Sequence, residues 1–269
     1  EASRLDDSET HKMLSKTYPY TILITEDDDE VRCFLERELS PHFKTRTAAN
    51  GKDALRVLEE EEISLVVSDV MMPEMNGFEL CRMIKSQLPF SHIPVILLTA
   101  LTDERQRIFG ITGGADDYIQ KPFHTDYVKI KIIHLLQERR KLRERLLEKL
   151  RDNKLLLSEP EKVESIDDAF LRKFAEQIEA VYADPEYNVE KLSETLGLSR
   201  GHLHRKIKEL TGTSPVEFLR TYRLNKATQL LRQNAYTVSE VAYRTGFSSP
   251  AYFSKCFKAV YGVTPTEYQ

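Results

Sequence analysis

The 269-residue sequence has no tryptophan, only three cysteines and no long hydrophobic run. Cys33, Cys81 and Cys256 lie far apart and are odd in number, which matches no disulfide framework and no zinc-ligand spacing. No stretch approaches the roughly 18 consecutive apolar residues of a membrane span, and no apolar run near residue 1 resembles a signal peptide. These absences argue against a disulfide-stabilised secreted domain and predict reduced core thiols in a cytoplasmic protein.

The residues that are present favour two domains of opposite charge. The length is large for one average domain, and a hydrophobic content of 41% allows each half its own core. Residues 20–124 carry 11 basic and 19 acidic side chains, a net charge of -8, whereas residues 189–269 carry 12 and 6, a net charge of +6. A basic C-terminal half favours a polyanionic partner. Because the chain starts at Glu1 and not at Met, we expect it to be a piece of a longer polypeptide.

The N-terminal half alternates short apolar runs with amphipathic segments. The apolar runs, which predict strands, are 20–25, 43–47, 63–68, 93–99 and 117–120. Helical spacing occurs between them at 29–39, 51–60, 77–87 and 103–112. Strands that alternate with helices form a parallel sheet with helices on both faces. We therefore expect an α/β domain with the flavodoxin-like strand order 2-1-3-4-5.

The segments around this domain are predicted as linkers. Residues 1–18 are polar and show no periodicity. Residues 124–157 have the pattern of one long helix whose leucines lie roughly along one seam. That seam fits either a solvated helix between domains or a short coiled-coil stub that helps dimerisation.

From Ile166 to the end the sequence is helical and contains an internal repeat. The repeated segments are 189–199 with 238–248, and 203–218 with 253–268. Each copy has an apolar first helix, then a glycine (Gly197 or Gly246), then a serine cap (Ser199 or Ser248), then a basic second helix. This order is typical of a helix-turn-helix. The sequence thus predicts an all-α domain with two helix-turn-helix units.

Carboxylates follow two of the predicted strands. The first strand is followed by Glu26, Asp27, Asp28 and Asp29, and the third by Asp69. In the expected strand order these two strands are neighbours, so their carboxylates converge at one edge of the sheet. Converging carboxylates repel one another, and a hard divalent cation such as Mg²⁺ relieves that repulsion. The simpler alternative for Asp28 or Asp29 is a helix N-cap.

The same stretches resemble the receiver domains of two-component response regulators. The resemblance covers about residues 19–136 and is carried by "ILITEDDDEVR", "VVSDVMMPEMNGFEL", "VILLTA" and "GADDYIQKPF". It implies that Asp69 accepts a phosphoryl group, that Thr99 hydrogen-bonds to this group, and that Lys121 pairs with it before a cis bond to Pro122.

The resemblance also implies a metal site and a switch. Mg²⁺ would be held by Glu26, Asp27, Asp69 and the backbone carbonyl of Met71. Tyr118 would be the aromatic side chain that changes rotamer on phosphorylation. The affected face would comprise residues 103–112, the fifth strand and the helix after Pro122.

The second helix of each repeat leaves basic side chains on its outer face. A single basic helix face is usually only solvated surface, but two repeats in a net-positive segment favour DNA. Residues 165–269, above all "GFSSPAYFSKCFKAVYGVTPTEY", resemble the DNA-binding domain of the AraC/XylS family. That resemblance implies base-facing positions in one major groove at Arg200, Gly201, His204 and Arg205. It implies contacts in the next groove at Pro250, Ala251, Ser254 and Lys255, and phosphate contacts at Arg223 and Lys258. Lys208 and Ser249 lie on the same outer faces and are also expected at the DNA interface.

We interpret the chain as a phosphorylation-regulated transcription factor. The expected parts are a linker (1–18), a receiver domain (19–136), a helical linker (137–164) and an AraC-type DNA-binding domain (165–269). The expected partners are double-stranded DNA, a histidine kinase in trans or in cis on the same polypeptide, RNA polymerase and a second copy of the chain.

Two alternatives and one question stay open at this stage. A Mg²⁺-dependent phosphohydrolase of related topology needs a second acid two residues after the nucleophile, where this chain has Met71. A receiver that is never phosphorylated would be an interaction module fused to a DNA-binding domain. Enzyme activity is undecided, although a hybrid sensor would as a whole be a histidine kinase, with this chain on the cytoplasmic side of the inner membrane.

Overall fold

The computed structural model describes residues 13–100, 114–151 and 165–269. The chain divides into two compact units, Glu1–Lys141 and Leu142–Gln269. None of the helices in the described ranges combines the length and the low charge that a bilayer crossing requires.

The first unit is built on a parallel sheet of five strands in the order β2-β1-β3-β4-β5. The strands are β1 (Thr21–Thr25), β2 (Lys44–Ala48), β3 (Leu65–Asp69), β4 (Val95–Thr99) and β5 (Asp117–Gln120). The predicted α/β fold and strand order are confirmed. Strands β3 and β4 each begin two residues later than predicted. Strand β3 also ends one residue later, so Asp69 is its last residue and not the first residue after it.

Four helices in the described part of this unit pack against the sheet. They are α1 (Asp29–Leu39), α2 (Gly51–Glu60), α3 (Gly77–Ser86) and the first part of α4 (Thr125–Arg151), which continues past Lys141. The first three begin at a side chain that accepts backbone N–H groups of the first turn, namely Asp28, Asn50 and Asn76. Asp28 is thus the helix cap among the four acidic residues after β1.

Two of the predicted helical features reach beyond the described residues. The helix predicted at 103–112 lies outside them. Helix α4 follows the prediction for 124–157 as far as Arg151. The seam that was expected to pair helices rests on Leu142, Leu146 and Leu150, whose side chains are also outside the described part, so the coiled-coil alternative stays a prediction.

Neighbouring residues of the central strands point to opposite faces, and the sheet therefore has two cores. Ile22 and Ile24 pack with apolar residues of α1 and α4, whereas Leu23 packs with those of α2 and α3. Each such fully buried aliphatic side chain contributes about 1.5–3 kcal/mol. Among the three free cysteines only Cys81 lies in a core; the expectation of a core thiol is wrong for Cys33, which is exposed.

The segment before β1 is docked on the first unit from Met13 onward, although residues 1–18 were predicted as a linker. Tyr18 N–H donates to the His42 carbonyl at 2.7 Å, and the Tyr18 ring stacks on Phe43 with centroids 5.7 Å apart. The prediction missed this docking because a polar segment without periodicity gives no sign that a turn elsewhere offers it an aromatic surface.

The second unit is helical throughout its described part after Ser165. Its helices are α5 (Ile166–Val181), α6 (Val189–Leu196), α7 (Arg200–Thr211), α8 (Pro215–Arg232), α9 (Val238–Arg244), α10 (Pro250–Tyr261) and α11 (Pro265–Tyr268). Helices α6 and α7 form one helix-turn-helix, α9 and α10 form the other, and α8 joins them. The predicted all-α domain with two such units is confirmed.

The turns between the paired helices use glycine in the left-handed region. Gly197 ends α6 with φ 68°, and Gly246 follows α9 with φ 79°. Ser199 caps α7 as predicted, because its hydroxyl accepts the His202 N–H. The cap of α10 is Ser249 and not the predicted Ser248, since the Ser249 hydroxyl accepts the Tyr252 N–H at 3.3 Å.

Candidate functional site

Three carboxylates meet at the carboxyl edge of the sheet. Glu26 and Asp27 follow β1 directly, Asp69 ends β3, and the two strands are paired so that Thr25 lies opposite Ser68. One oxygen of each carboxylate can be chosen so that all three lie within 4.8 Å of one another. Glu26 and Asp69 are buried and Asp27 is exposed. The arrangement is a cluster of three carboxylates, called here the acidic pocket, in which Asp27 is the exposed member.

Lys121 follows β5, which is separated from β3 by β4, and its side chain reaches two of these carboxylates. Its Nζ lies 2.8 Å from Asp69 Oδ1 and 2.9 Å from Glu26 Oε2. Its backbone N–H donates to the Thr99 carbonyl at 2.7 Å, and its peptide bond to Pro122 is cis. The residues expected to act on a phosphoryl group are thus brought together, although their roles stay predictions.

The charges in the pocket are unbalanced. Burial raises the pKa of Glu26 above its ordinary value, the negative charges of Asp69 and Asp27 raise it further, and Lys121 offsets only part of this. Burial lowers the pKa of Lys121, but its bonds to Asp69 and Glu26 outweigh burial, and its pKa is raised. One lysine therefore faces three carboxylates, and this oxygen-rich donor set fits a hard cation such as Mg²⁺.

The loop after β3 folds back on its own strand. Met71 N–H donates to Asp69 Oδ2 at 3.2 Å, and Gly77 N–H donates to the Val70 carbonyl at 3.0 Å. A Cβ atom at Gly77 would overlap the carbonyl oxygen of Asp69, so only glycine allows this close approach. The loop leaves Met71 67% exposed, whereas Asp69 itself is buried. The predicted metal contact of the Met71 carbonyl stays a prediction.

The two remaining predicted residues lie on the strands beside Lys121. Thr99 is the half-buried last residue of β4. Tyr118 on β5 packs against the core on the α2 and α3 side, and within the described part of the chain its hydroxyl has no hydrogen-bond partner. Burial, with smaller contributions from Cys81 and Asp116, raises the pKa of Tyr118 to about 12. A buried phenol without a partner is free to gain one by changing rotamer.

Arg32 is a residue of this site that the sequence interpretation missed. Its guanidinium donates to the Glu26 carbonyl at 2.7 Å and forms an ion pair with Asp29. It therefore fixes the turn that carries Glu26 and Asp27. The i,i+3 spacing of Asp29 and Arg32 was visible in the sequence, but the carbonyl contact depends on the fold of the turn.

The predicted DNA contacts fall on the outer faces of α7 and α10. Those that are exposed are Arg200, Gly201, His204, Lys208, Ala251, Lys255 and Lys258. Those that are half-buried are Arg205, Ser249, Pro250 and Ser254. The inward residues Leu203, Ile207, Phe253 and Phe257 are buried as expected, whereas Leu210 is only half-buried.

Several residues in this set already have partners within the protein, and Arg200 is one of them, 2.7 Å from Glu190 Oε1. The Ser249 hydroxyl caps α10, and the Ser254 hydroxyl donates to the Pro250 carbonyl at 2.9 Å. Arg223 was expected to contact a phosphate, and the structure gives it a different role. Its Nε donates to the Tyr182 carbonyl at 2.7 Å and one terminal nitrogen donates to the Asp184 carbonyl at 2.6 Å, so its guanidinium holds the end of α5.

Comparisons with known proteins find a matching family for each half of the chain. Residues 22–133 match the family described as the response regulator receiver domain, and residues 192–269 match the family described as a helix-turn-helix domain. Over 265 residues the chain is 37% identical to Histidine kinase P4 of Formosa agariphila. The aligned residues make up 98% of this chain and 19% of that protein.

Other relatives match the first half alone. Transcriptional regulatory protein GltR of Pseudomonas aeruginosa is 43% identical over 118 residues, 44% of this chain and 49% of that protein. A solved signal receiver domain of a signal transduction histidine kinase from Syntrophus aciditrophicus is 38% identical, with 44% of this chain and 91% of that chain covered and a TM-score of 0.43. The chain spans less than half the length of either curated relative.

The family matches agree with the acidic pocket in the first unit and the paired helices in the second, and together they identify the two domains. Residues 22–133 belong to the response regulator receiver domain family, and residues 192–269 are a helix-turn-helix domain of the AraC type.

Proposed function

We propose that this chain is a phosphorylation-regulated transcription factor, in which a phosphoryl group on Asp69 controls sequence-specific DNA binding by the second unit. The observation that carries the proposal is the position of Asp69. Its carboxylate ends a buried strand, lies 2.8 Å from Lys121 Nζ, and shares a pocket with two further carboxylates.

The pocket supports an in-line phosphoryl transfer to Asp69. One carboxylate oxygen forms the new bond to phosphorus while the bond to the leaving group breaks and its electron pair departs with that group. The donor is a phosphohistidine of a kinase or a small acyl phosphate. Lys121 lies where it can neutralise charge on the phosphoryl oxygens, and the Met71 N–H, 3.2 Å from Asp69 Oδ2, orients the nucleophile.

The three carboxylates are the residues that would hold Mg²⁺. Glu26, Asp27 and Asp69, with the Met71 carbonyl, supply hard oxygen ligands of the kind that this ion takes. When bound, the ion supplies positive charge that offsets the negative oxygens of the transferred group. Arg32 holds the backbone of Glu26 and so keeps the carboxylates of the β1 turn in place.

Phosphorylation would act on the second unit through Thr99 and Tyr118. A phosphoryl group on Asp69 adds negative charge and acceptor oxygens, and the Thr99 hydroxyl at the end of the neighbouring strand is a donor for them. Movement of Thr99 would open room for the Tyr118 ring, whose buried hydroxyl has no partner in the described residues. The signal would then pass along α4, which follows β5 in the chain.

The output would be two recognition helices, α7 and α10, in successive major grooves of one DNA duplex. The exposed basic residues Arg200, His204, Lys208, Lys255 and Lys258 support this arrangement. The relative named a histidine kinase supports a kinase partner, in cis if this chain is the end of a hybrid sensor. Contacts with RNA polymerase and with a second copy of the chain are part of the same proposal.

Phosphorylation with radiolabelled acetyl phosphate and Mg²⁺ tests the first half of the proposal. We expect acid-stable, hydroxylamine-labile label on the wild-type chain and none on Asp69→Asn. The matched control is Glu30→Gln, which removes an exposed carboxylate of the first turn of α1 and keeps the three-carboxylate pocket and Arg32. Equal labelling of wild type and Asp69→Asn would refute the assignment of Asp69.

A further inference from the structure

Helix α7 contains a lysine that faces away from the predicted DNA surface. Lys206 is fully buried, with 0% of its side chain exposed. It stands two positions from both His204 and Lys208, which is about 200° around the helix axis from each of them. Lys206 therefore takes no part in contacts on the outer face of α7, and its burial needs another explanation.

The charge of Lys206 has one carboxylate partner in the described contacts. Its Nζ lies 2.6 Å from Asp167 Oδ1 and 5.2 Å from the ring centre of Phe170. Both partners belong to α5, the first helix after the predicted linker at 137–164. Asp167 is the second residue of that helix and lies between the Ser165 cap and Asp168, the two members of its capping box. This ion pair, called here the Asp167–Lys206 latch, joins the start of α5 to the recognition helix α7.

The second helix-turn-helix has no counterpart of the latch. The repeat aligns Lys206 with Cys256, a half-buried neutral side chain. The capping boxes Ser165–Asp168 and Ser214–Glu217 mark corresponding helix starts, which places Val216, 58% exposed, at the position of Asp167.

The second recognition helix is instead held by packed aromatic rings. Phe253 lies 5.2 Å from Phe247, and Phe257 lies 4.6 Å from Tyr261 and 5.3 Å from Tyr268, measured between ring centres. The polar contacts of α10 with α8 are Tyr261 Oη to Asn225 Oδ1 at 2.6 Å and a bond between Arg220 and Tyr252. The contacts described for α10 thus include no buried ion pair like that of Lys206.

A buried ion pair is a poor source of stability, because an apolar residue of similar volume generally serves as well. What the pair adds is a restraint on the rotation of α7 about its own axis. Apolar packing through Leu203 and Ile207 keeps α7 against the core but constrains rotation about its axis only weakly. The ion pairs of α7 that involve Arg200 and Glu209 are partly exposed, so they restrain rotation less than a buried pair. The bond of 2.6 Å to the fully buried Lys206 is the stronger restraint on that rotation.

We propose that Lys206 is a positioning residue, and that the Asp167–Lys206 latch sets the orientation of α7, and of α7 alone, for DNA. The proposal rests on the proposed DNA-binding function. Under this proposal α5 can regulate DNA binding. A change in the first turn of α5 would alter the orientation of α7 and leave that of α10 unchanged.

The test compares Lys206→Met, Asp167→Asn and the double variant in the full chain, with Lys173→Met as the control for loss of an exposed lysine on α5. The probe is a duplex selected from random-sequence DNA by the wild-type chain. Hydroxyl-radical footprinting reports protection in each groove, and the footprint of His204→Ala identifies the groove read by α7. Hydrogen exchange without DNA reports the order of α7 and α10 separately.

For Lys206→Met and the double variant we expect an unchanged urea midpoint and a loss of DNA affinity of about tenfold, the size of a coupling between residues in contact. Protection should be lost in the α7 groove and kept in the α10 groove, and exchange should become faster in α7 only. Asp167→Asn should also lower the urea midpoint, because it removes the negative charge 2.6 Å from the buried lysine.

Two results would overturn the proposal. One is wild-type affinity and wild-type exchange of α7 in Lys206→Met. The other is a lowered urea midpoint with equal loss in both grooves, which would make the pair a stabilising contact and no more. If the wild-type chain selects no DNA, the proposed function fails, and the exchange comparison between α7 and α10 still tests the latch.

Discussion

The two units place their functional residues in opposite ways. In the receiver domain the acidic pocket is assembled from the ends of separate strands, and Glu26, Asp69 and Lys121 are fixed to one another by bonds of 2.8 and 2.9 Å. In the second unit most of the predicted DNA contacts lie on the outer faces of two helices, and Arg200, His204, Lys208, Lys255 and Lys258 among them are exposed. Substitutions should therefore affect folding in the first site and binding without folding in the second.

The largest expected difference concerns two glycines. Gly77→Ala places a Cβ atom against the Asp69 carbonyl, and we expect the free energy of unfolding to fall by about 4 kcal/mol, as for other steric overlaps with buried backbone. Gly201→Ala meets no atom within 4 Å on the exposed face of α7, and we expect a gain of about 0.5–1 kcal/mol. Urea unfolding of both variants measures the difference, and equal effects would contradict it.

A second contrast compares two lysines. Lys121→Met leaves Glu26 and Asp69 facing each other, and we expect a loss of about 2 kcal/mol at pH 7, less than for a fully buried pair because Lys121 is 27% exposed. The loss should shrink as the pH falls. Burial raises the pKa of Glu26, so as the pH falls the folded state binds a proton at Glu26 before the unfolded chain does, and the repulsion with Asp69 is then removed. Lys255→Met, on the exposed face of α10, should change stability by no more than about 0.5 kcal/mol. A pH-independent loss in Lys121→Met would contradict this account.

The structure also separates Arg223 from Lys258, which the sequence had grouped as phosphate contacts. Arg223→Met removes bonds to two carbonyl groups, and we expect a loss of about 2 kcal/mol in the free energy of unfolding. Lys258→Met should keep wild-type stability and reduce the slope of log affinity against log salt by about 1. A reduced salt slope in Arg223→Met at unchanged stability would restore the original interpretation.

The smallest effect is expected for Tyr118→Phe. The unfolded chain releases the Tyr118 proton near its ordinary pKa of 10.0, whereas the folded chain keeps it up to about 12. The folded state thus binds more protons in this window, and wild-type stability falls as the pH rises through it. Tyr118→Phe should remove about 1 kcal/mol of that fall, after allowance for solvent screening of a half-buried group. Identical slopes of stability against pH would show that Tyr118 titrates like an exposed tyrosine.

The same contrast explains which features could be predicted from the sequence. Apolar runs fix where buried strands lie, and the strand order then forces Asp27 and Asp69 to one edge, so the acidic pocket followed from a few short segments. The two helix-turn-helix units followed from their repeat. These features depend on local pattern and on topology, both of which a sequence displays.

Features that depend on one tertiary contact could not be predicted. Arg223 has the spacing of an outward-facing helical residue, and only the fold shows that the carbonyls at the end of α5 lie within its reach. Of the adjacent serines Ser248 and Ser249, either could cap α10, and the backbone geometry decides for Ser249. Arg32, the docked segment at Met13 and the partner of Lys206 are of the same kind.

The most direct test of the central claim is selection of bound duplexes from random DNA by the full chain, with and without acetyl phosphate and Mg²⁺, alongside Asp69→Asn. We predict enrichment of a non-palindromic motif with two blocks about one helical turn apart. Recovery should change with phosphorylation for wild type and stay constant for Asp69→Asn. Equal recovery of the same sequences by wild type in both conditions, or no enrichment at all, would contradict the account.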